Sequence, residues 1–151
     1  MKSLRKRIIA QYEISELLHR WAEVIDCGRW NEYEGLYAPG AVLDFSAIGS
    51  PGGTPAEHRD YLENTSWPTN AGQQHPIANI RVTLRGRRFA TARSYCLSPV
   101  RKRDGRFLLV AVEYEDELRR VRGEWRIASR TCRPMVMEPA DFAQAKHLRE
   151  V

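Results

Sequence analysis

Apolar residues recur at helical spacing near the start of the chain. One helix face carries Ile14, Leu18, Trp21 and Ile25 at the i, i+4, i+7, i+11 positions, widened by Leu17 and Val24. No proline or glycine interrupts this pattern before Gly28, which is typical of a helix stop. The pattern predicts a long amphipathic helix that ends near Gly28 and packs one face on the core.

Three shorter elements are predicted in the next part of the chain. They are, in order, a second helix over residues 29–38, a brief strand over 41–45 and a third helix over 55–64. Thr54 followed by Pro55 makes a good helix start, because threonine caps a helix and proline fits its first turn. Residues 67–74 follow no regular pattern.

From His75 onward the hydrophobic period changes to two, which indicates strands with one buried face. Strands are predicted over residues 78–85, 89–98, 107–118 and 125–133, and a last helix over 139–148. Helices followed by an antiparallel meander indicate an α+β fold, with helices covering one face of a curved sheet. There is no alternation of strand and helix, which argues against a dinucleotide-binding fold.

Length and composition fit one globular domain. The chain has 151 residues, of which 42% are hydrophobic, and no apolar run approaches the roughly 20 residues of a membrane span. We predict a single domain over 1–151, with residues 136–151 as a C-terminal tail, and no membrane partner. The three cysteines show no paired or ligand-like spacing, which favours free thiols and a cytoplasmic location.

The chain carries a formal charge of +5, and a positive charge is typical of proteins that bind nucleic acids. The arginines concentrate in three clusters, at 85–88, 101–106 and 119–123, and each cluster contains a glycine between two strand-like runs. Such clusters are typical of solvated hairpin tips. We therefore predict no nucleic-acid partner, and a binder that uses the arginine hairpins is the weakest alternative.

Four segments, in chain order, resemble one known family. The stretch from Leu17 to Phe45 reads LLHRWAEVIDCGRWNEYEGLYAPGAVLDF, and it is followed by QHPIANI from Gln74, ATARSY from Ala90 and GEWRI from Gly123. These segments resemble the opening helices and three strands of SnoaL-like domains in the NTF2-like superfamily. The resemblance implies a cone in which N-terminal helices pack on a curved, mainly antiparallel sheet and enclose a mostly apolar pocket.

The resemblance also implies an acid–base pair and a class of reaction. Dehydratases and a dehydrochlorinase of this superfamily pair an aspartate on the first helix with a histidine on the sheet, and Asp26 and His75 occupy those two positions. It implies a cofactor-independent lyase or isomerase that acts on a small apolar cyclic substrate, such as a polyketide, terpenoid or steroid-like ring. It further implies a homodimer or homotrimer. No metal is expected, because His, Cys and carboxylates show no ligand spacing.

The chemistry of such a pair is proton abstraction. A neutral imidazole at His75 can take a proton from a carbon next to a carbonyl or leaving group, provided that a carboxylate holds the ring in the correct tautomer. Asp26 is the predicted carboxylate. A negative charge at a helix C-terminus is unfavourable, which favours a specific partner for Asp26 over an ordinary helix-end residue.

Strand parity adds Tyr114, Asp116, Ser94 and Arg133 as candidates that line the pocket. Two aromatic residues, Trp21 and Phe45, complete the substrate-binding candidates, with ordinary core packing as the alternative. An aspartate on an apolar face needs a partner, so Asp116 either lines the pocket and contacts the substrate or pairs with an arginine across the sheet. Arg133 shares parity with Ile127 and is expected at the pocket mouth. The remaining histidines, His19, His58 and His147, lie in polar, helical contexts and are expected to be solvated.

The chain departs from the best-known members at accessory positions. Ile25 and Phe45 stand where scytalone dehydratase has two tyrosines, and Trp21 stands where other members carry a tyrosine or a lysine. A related elimination, isomerisation or cyclisation therefore stays open. Two further alternatives are a non-catalytic small-molecule-binding or assembly module of the same fold, and the small subunit of a ring-hydroxylating dioxygenase.

Overall fold

Helices at the start of the chain are followed by a strongly curled mixed sheet, which confirms the α+β prediction. The computed structural model describes residues 2–139, with side chains for 4–136. The helices are α1 (Lys2–Asp26), α2 (Trp30–Tyr33) and α3 (Pro55–Tyr61), with further single turns at Glu34–Leu36, Ser46–Ile48, Leu62–Ser66 and Trp67–Thr69. The strands are β1 (Tyr37–Asp44), β2 (Asn70–Gln73), β3 (Ile77–Arg85), β4 (Phe89–Lys102), β5 (Phe107–Val121) and β6 (Glu124–Pro139). The predicted helix over 139–148 lies outside the described residues.

Helix α1 buries the face that the sequence predicts. Ile14, Leu18 and Val24 are fully buried. The helix ends at Asp26, and Gly28 then turns the chain with a φ of +64°. A Cβ atom at this glycine would lie 3.1 Å from the Trp67 ring, so both conformation and space favour glycine. None of the helices within residues 2–139 is long and apolar enough to cross a membrane.

The second and third predicted helices are shorter than expected. The predicted helix over 29–38 stops earlier, because Tyr37 is already extended (φ −108°, ψ 152°) and starts β1. Helix α3 begins as predicted: Thr54 accepts a hydrogen bond from the Glu57 backbone N–H, and the Glu57 side chain accepts one from the Thr54 N–H in return. The segment predicted to be irregular contains the short strand β2.

The sheet has the order β1-β6-β5-β4-β2, with β3 paired to β4 as well. Strand β1 runs parallel to β6, and the other pairings are antiparallel. Gly86, Gly105 and Gly123 lie in the turns of the three hairpins with positive φ angles. The arginine clusters therefore lie at hairpin tips, as predicted.

A β-bulge in β6 changes which of its side chains face inward. Leu118 is opposite Ile127, but the next residue back, Glu117, is opposite Ser129, so Ala128 is an extra residue on β6. Beyond this bulge the alternation is shifted by one residue, and Arg130 is buried while Arg133 is exposed. The parity argument that placed Arg133 on the inner face is wrong for this reason.

Candidate active site

A cavity of about 280 Å³ lies between the helices and the inner face of the sheet. This volume is just below the roughly 300–1,000 Å³ typical of small-molecule sites. Most of the surface of the wall is apolar, although about half of the lining residues carry polar side chains. The polar or titratable lining side chains are Ser50, His58, Tyr61, Ser66, Asn70, Gln73, His75, Ser98, Lys102 and Tyr114.

Asp26 and His75 meet at one side of this cavity. The His75 Nδ1 lies 2.6 Å from Asp26 Oδ1, and the His75 backbone N–H donates to Asp26 Oδ2 at 2.9 Å. A carboxylate can only accept, so the neutral His75 ring carries its proton on Nδ1 and has its lone pair on Nε2. No hydrogen bond from the described residues occupies Nε2. The geometry therefore leaves a base available on a residue that lines the cavity.

The helix end and the strand start explain why these two residues meet. Asp26 is the last residue of α1, and His75 stands two residues before β3 begins. Both side chains are mostly buried, with 23% and 17% exposed, and the Trp21 ring stands edge-on to the imidazole at 6.0 Å. Partial burial strengthens the electrostatic contact relative to a surface pair.

A second histidine, His58, lines the same cavity, which corrects the expectation that it is solvated. His58 is 2% exposed and stacks on Phe45 with a ring separation of 4.2 Å. Burial, together with the charge of Arg130, lowers the pKa of His58 to about 4, so the ring is neutral at physiological pH. His19, by contrast, is half-exposed as expected, and His147 lies outside the described residues.

His58 ends a chain of buried hydrogen bonds. Trp21 Nε1 donates to the Tyr37 hydroxyl at 2.6 Å, Tyr37 donates to the Tyr33 hydroxyl at 2.7 Å, and Tyr33 lies 2.6 Å from His58 Nδ1. Burial raises the pKa of Tyr37 to about 12 and that of Tyr33 well above its usual value. Both tyrosines therefore keep their protons and can act as donors.

Asp116 does not line the cavity. It forms a two-point ion pair with Arg130, with Nε–Oδ1 at 2.7 Å and Nη2–Oδ2 at 2.9 Å, and both side chains are fully buried. The alternative stated above, pairing with an arginine across the sheet, is what the structure shows. The Arg130 guanidinium lies over the rings of Trp21 (4.2 Å) and Tyr114 (4.4 Å), so the pair supports two residues of the cavity wall.

Burial and the Asp116 carboxylate act in opposite directions on Arg130. Burial alone would lower the pKa of Arg130, but the adjacent carboxylate outweighs it and raises the pKa above the usual value. The guanidinium is therefore a permanent positive charge behind the cavity wall. Its Nη1 is buried without a hydrogen-bond partner among the described residues.

The other predicted lining residues fall into two groups. Trp21, Phe45 and Tyr114 line the cavity, and their rings contact one another, with Tyr114 lying 5.3 Å from Trp21 and 6.1 Å from Phe45. Ser94 is buried on the inner face of β4 but is not part of the lining, and its hydroxyl has no partner within the described part of the chain. Arg133 lies outside the cavity and pairs with Glu115 on the exposed face.

A polar network that the sequence did not reveal lies beside Asp26. Lys102 Nζ donates to Asn70 Oδ1 at 2.7 Å, Asn70 Nδ2 donates to Gln73 Oε1 at 2.6 Å, and Gln73 Nε2 reaches the Ile25 carbonyl at 3.4 Å. Burial and the nearby Arg106 lower the pKa of Lys102. Strand β2 is short and polar, so periodicity gave no signal for Asn70 and Gln73.

Two other parts of the surface and side-chain set do not form a comparable site. A larger groove of about 900 Å³ lies along the outer face of α1, but it is open to solvent and lacks a buried acid–base pair. Within residues 2–139, no group of three or more His, Cys, Asp or Glu side chains could hold a metal ion. The cavity that holds the two histidines is therefore the candidate active site.

Comparison with known proteins supports this fold assignment. The SnoaL-like domain model matches residues 6–131. An uncharacterized protein of Mycobacterium tuberculosis, Rv2910c, is 27% identical over 122 residues, which are 78% of this chain and 80% of that protein.

Solved structures of low sequence identity share the fold. A LinA-type hexachlorocyclohexane dehydrochlorinase from Novosphingobium barchaimii superposes with a TM-score of 0.79 at 18% identity, covering 89% of this chain and 92% of its own. A proposed scytalone dehydratase from Novosphingobium aromaticivorans gives 0.82 at 18% identity, covering 91% and 92%. The β subunit of a proposed aromatic-ring-hydroxylating dioxygenase from the same species gives 0.72 at 16% identity, covering 89% and 94%.

Proposed function

The chain belongs to the SnoaL-like domain family, and from that premise we propose that it is a cofactor-independent lyase or isomerase. His75 is the general base, and Asp26 is the residue that positions it. The substrate is a small, largely apolar cyclic molecule with an acidic C–H bond. The reaction class includes dehydration, double-bond isomerisation and cyclisation, which share proton abstraction from carbon as their first step.

One observation carries this proposal: Asp26 holds Nδ1 of His75 at 2.6 Å, and Nε2 has no partner among the described residues. The second carboxylate oxygen accepts the His75 backbone N–H, so the carboxylate cannot rotate without losing a hydrogen bond. A fixed ring with a free lone pair is what a general base needs. When Nε2 gains a proton, the imidazolium charge lies next to the Asp26 carboxylate, which stabilises it.

The elimination balances without any added reagent. In a β-hydroxy ring ketone, Nε2 removes a proton from the carbon between the carbonyl and the carbinol carbon. The released electron pair forms a C=C bond to the carbonyl carbon while the C=O π electrons move to oxygen, which gives an enolate. The C=O bond then re-forms, the enolate C=C electrons form the new C=C bond to the carbinol carbon, and the C–O bond to the hydroxyl breaks. The departing hydroxide takes the proton back from the imidazolium and leaves as water, which restores neutral His75.

The wall of the cavity supports an apolar ring as the substrate. Its apolar residues include Ile25, Phe45, Leu62, Trp67 and Val112. Burying a ring against such side chains gains about 25 cal/mol per Å² of apolar surface, while the polar groups of the substrate need specific partners. At about 280 Å³ the cavity suits a substrate of one or a few rings.

The test is turnover of 3-hydroxycyclohexanone and exchange of the C1 protons of 2-tetralone in D₂O. The first reaction is followed by the ultraviolet absorbance of cyclohexenone, and the second by proton NMR. Wild type is expected to accelerate at least one reaction, and His75→Gln is expected to lose roughly 10²–10⁴-fold of it. His19→Gln, a half-exposed histidine on the outer part of α1, is the matched control and should retain full activity.

The similarity to a dioxygenase β subunit supports one alternative, a binding or supporting subunit without chemistry of its own. It predicts that the ring ketones bind without turnover or exchange, and that His75→Gln leaves their affinity unchanged. Equal rates in wild type and His75→Gln would therefore refute the lyase or isomerase proposal.

A further inference from the structure

The hydrogen-bond chain that ends at His58 has a fixed direction. The indole N–H of Trp21 can only donate, so the Tyr37 oxygen accepts it at 2.6 Å. Tyr37 gives its own proton to the Tyr33 oxygen at 2.7 Å, which is its only hydrogen-bond acceptor among the described residues. The Tyr33 proton is therefore left for His58 Nδ1, at 2.6 Å. Nδ1 of His58 is therefore an acceptor, and the neutral ring carries its proton on Nε2.

The Nε2–H of His58 has a poor partner in the absence of a ligand. Its nearest acceptor among the described residues is the Ser50 hydroxyl, at a long 3.4 Å. The ring itself is 2% exposed and is held by stacking on Phe45, so it cannot turn toward bulk water. A buried N–H with so weak an acceptor costs free energy that a ligand oxygen would recover.

The two histidines that line the cavity thus present opposite groups. His75 has its proton on Nδ1, facing Asp26, and its lone pair on Nε2. His58 has its lone pair on Nδ1, facing Tyr33, and its proton on Nε2. Ring-to-ring contacts connect the two histidines along the wall, through Trp21, Tyr114 and Phe45. One cavity therefore combines a proton acceptor with a neutral hydrogen-bond donor.

We infer that the Nε2–H of His58 binds the carbonyl oxygen of the substrate, and that the substrate is an apolar ring ketone. The inference rests on the proposed function, because proton abstraction by His75 moves negative charge from carbon to that oxygen. The electrons of the broken C–H bond form a C=C bond, and the C=O π electrons move to oxygen. A neutral donor stabilises this oxygen without adding charge to the cavity.

The burial of His58 is consistent with this role. With its pKa lowered to about 4 by burial and by Arg130, the ring stays neutral throughout the physiological range. An imidazolium at this position would attract the carboxylate or phosphate group of a charged ligand. A neutral donor selects a carbonyl or hydroxyl oxygen instead, and an apolar wall excludes strongly hydrated groups.

The binding test compares 2-tetralone with tetralin, which has the same rings but no carbonyl. Wild type should prefer 2-tetralone by up to about tenfold, the value of one hydrogen bond, and should shift the ¹³C resonance of its labelled carbonyl. His58→Phe keeps an aromatic ring on Phe45 but has no donor. It should lose both the preference and the shift, while tetralin binds as before. Equal affinities for the two ligands in wild type would overturn the inference.

A second measurement needs no variant. Long-range ¹H–¹⁵N spectra of the histidine rings report which nitrogen carries the proton in the free protein. The inference requires Nε2–H at His58 and Nδ1–H at His75. A proton on Nδ1 of His58 at neutral pH would overturn it, whether or not His58→Phe folds.

The outcomes separate the inference from the proposed function. If 2-tetralone shows the His58-dependent carbonyl shift but its protons do not exchange, the carbonyl site stands and the base role of His75 is wrong. If exchange depends on His75 but is the same in His58→Phe, His75 is the base and the assignment of the carbonyl oxygen to His58 is wrong. When both are correct, His58→Phe lowers the exchange rate roughly 10²–10³-fold, as expected for the loss of one donor to the developing oxyanion.

Discussion

Asp26 contacts His75 through both of its carboxylate oxygens, one on the imidazole Nδ1 at 2.6 Å and one on the backbone N–H at 2.9 Å. The ring and the backbone of one residue are thus bound to a single carboxylate at the end of α1. Ring rotation, a tautomer change or movement of the chain before β3 would each break one of these hydrogen bonds. The contact determines both where the imidazole lies and which nitrogen is free.

Asp26→Asn should disable the base without changing the size of the side chain. An asparagine cannot accept from both N–H groups of His75, because one of its two atoms is an NH₂ donor. If that donor faces Nδ1, the ring proton moves to Nε2 and the base is lost. We expect kcat for exchange or elimination to fall roughly 10²–10⁴-fold, with little change in KM.

The control for this variant is Glu16→Gln, on the exposed face of α1. It removes a carboxylate charge from the same helix outside the cavity and should leave kcat unchanged. Steady-state rates over a range of ring-ketone concentrations separate kcat from KM. A loss in Asp26→Asn that is confined to KM would mean that Asp26 acts in binding and not through His75.

His58 should make the protein lose stability in mild acid. Its pKa is about 4 in the folded state against an ordinary 6.5, so the unfolded chain takes up the proton first. The stabilisation is complete above about pH 6.5, decreases as the pH falls toward 4, and changes no further below that. The full effect is about 3 kcal/mol. Burial of the ring is the main cause of the lowered pKa of His58, and the charge of Arg130 lowers it further.

Urea unfolding at pH 7.5 and pH 4.5 measures this effect. The free energy of unfolding of wild type should fall about 2–3 kcal/mol more than that of His58→Phe between the two conditions. His19→Gln, which changes a half-exposed histidine, should follow wild type. Parallel curves for wild type and His58→Phe would show that His58 is not held neutral by the fold.

Tyr33→Phe should destabilise the fold by breaking the buried chain in its middle. The Tyr37 hydroxyl loses its acceptor, and His58 Nδ1 loses its donor, at buried positions. Leaving buried polar groups unpaired costs about 1–3 kcal/mol. Tyr12→Phe is the control, because Tyr12 is 64% exposed on α1 and its loss should change stability by no more than about 0.5 kcal/mol. Equal free energies of unfolding for the two variants would show that the buried hydrogen-bond chain does not stabilise the fold.

The parts of the molecule that local sequence determines were predictable. The stop at Gly28, the Thr54 cap and the three glycine-containing hairpin tips each depend on a few neighbouring residues. The pairing of Asp26 with His75 was reached through the resemblance, since the two residues are far apart in sequence and only the fold brings them together. Their catalytic roles stay proposals.

The parts that depend on tertiary contacts were not predictable. A strict period of two placed Arg133 inside, and only the unpaired Ala128 moves Arg130 there instead. His58 lies on a helix of seven residues, which is too short for an apolar stripe to reveal its buried face. Its environment comes from Phe45 and Tyr33, which precede it by 13 and 25 residues.

Two ion pairs on the same two strands should differ sharply in energy. Arg130–Asp116 is fully buried, whereas Arg133–Glu115 has 59% and 38% of its side chains exposed. Arg130→Met leaves Asp116 as an unpaired buried charge and removes the cation from the Trp21 and Tyr114 rings, so we expect a loss of about 3–5 kcal/mol. Arg133→Met is the matched control, and it should cost about 0–1 kcal/mol because solvent already screens that pair.

A double variant separates the cost of an orphaned charge from the worth of the pair. Replacing both partners, as Arg130→Met with Asp116→Leu, removes the unpaired charge and should be less destabilising than either single change. Denaturant unfolding of the four proteins gives the coupling energy directly. Additive losses in this cycle, or equal losses for Arg130→Met and Arg133→Met, would contradict the prediction, because they would mean that burial adds nothing to the interaction behind the cavity wall.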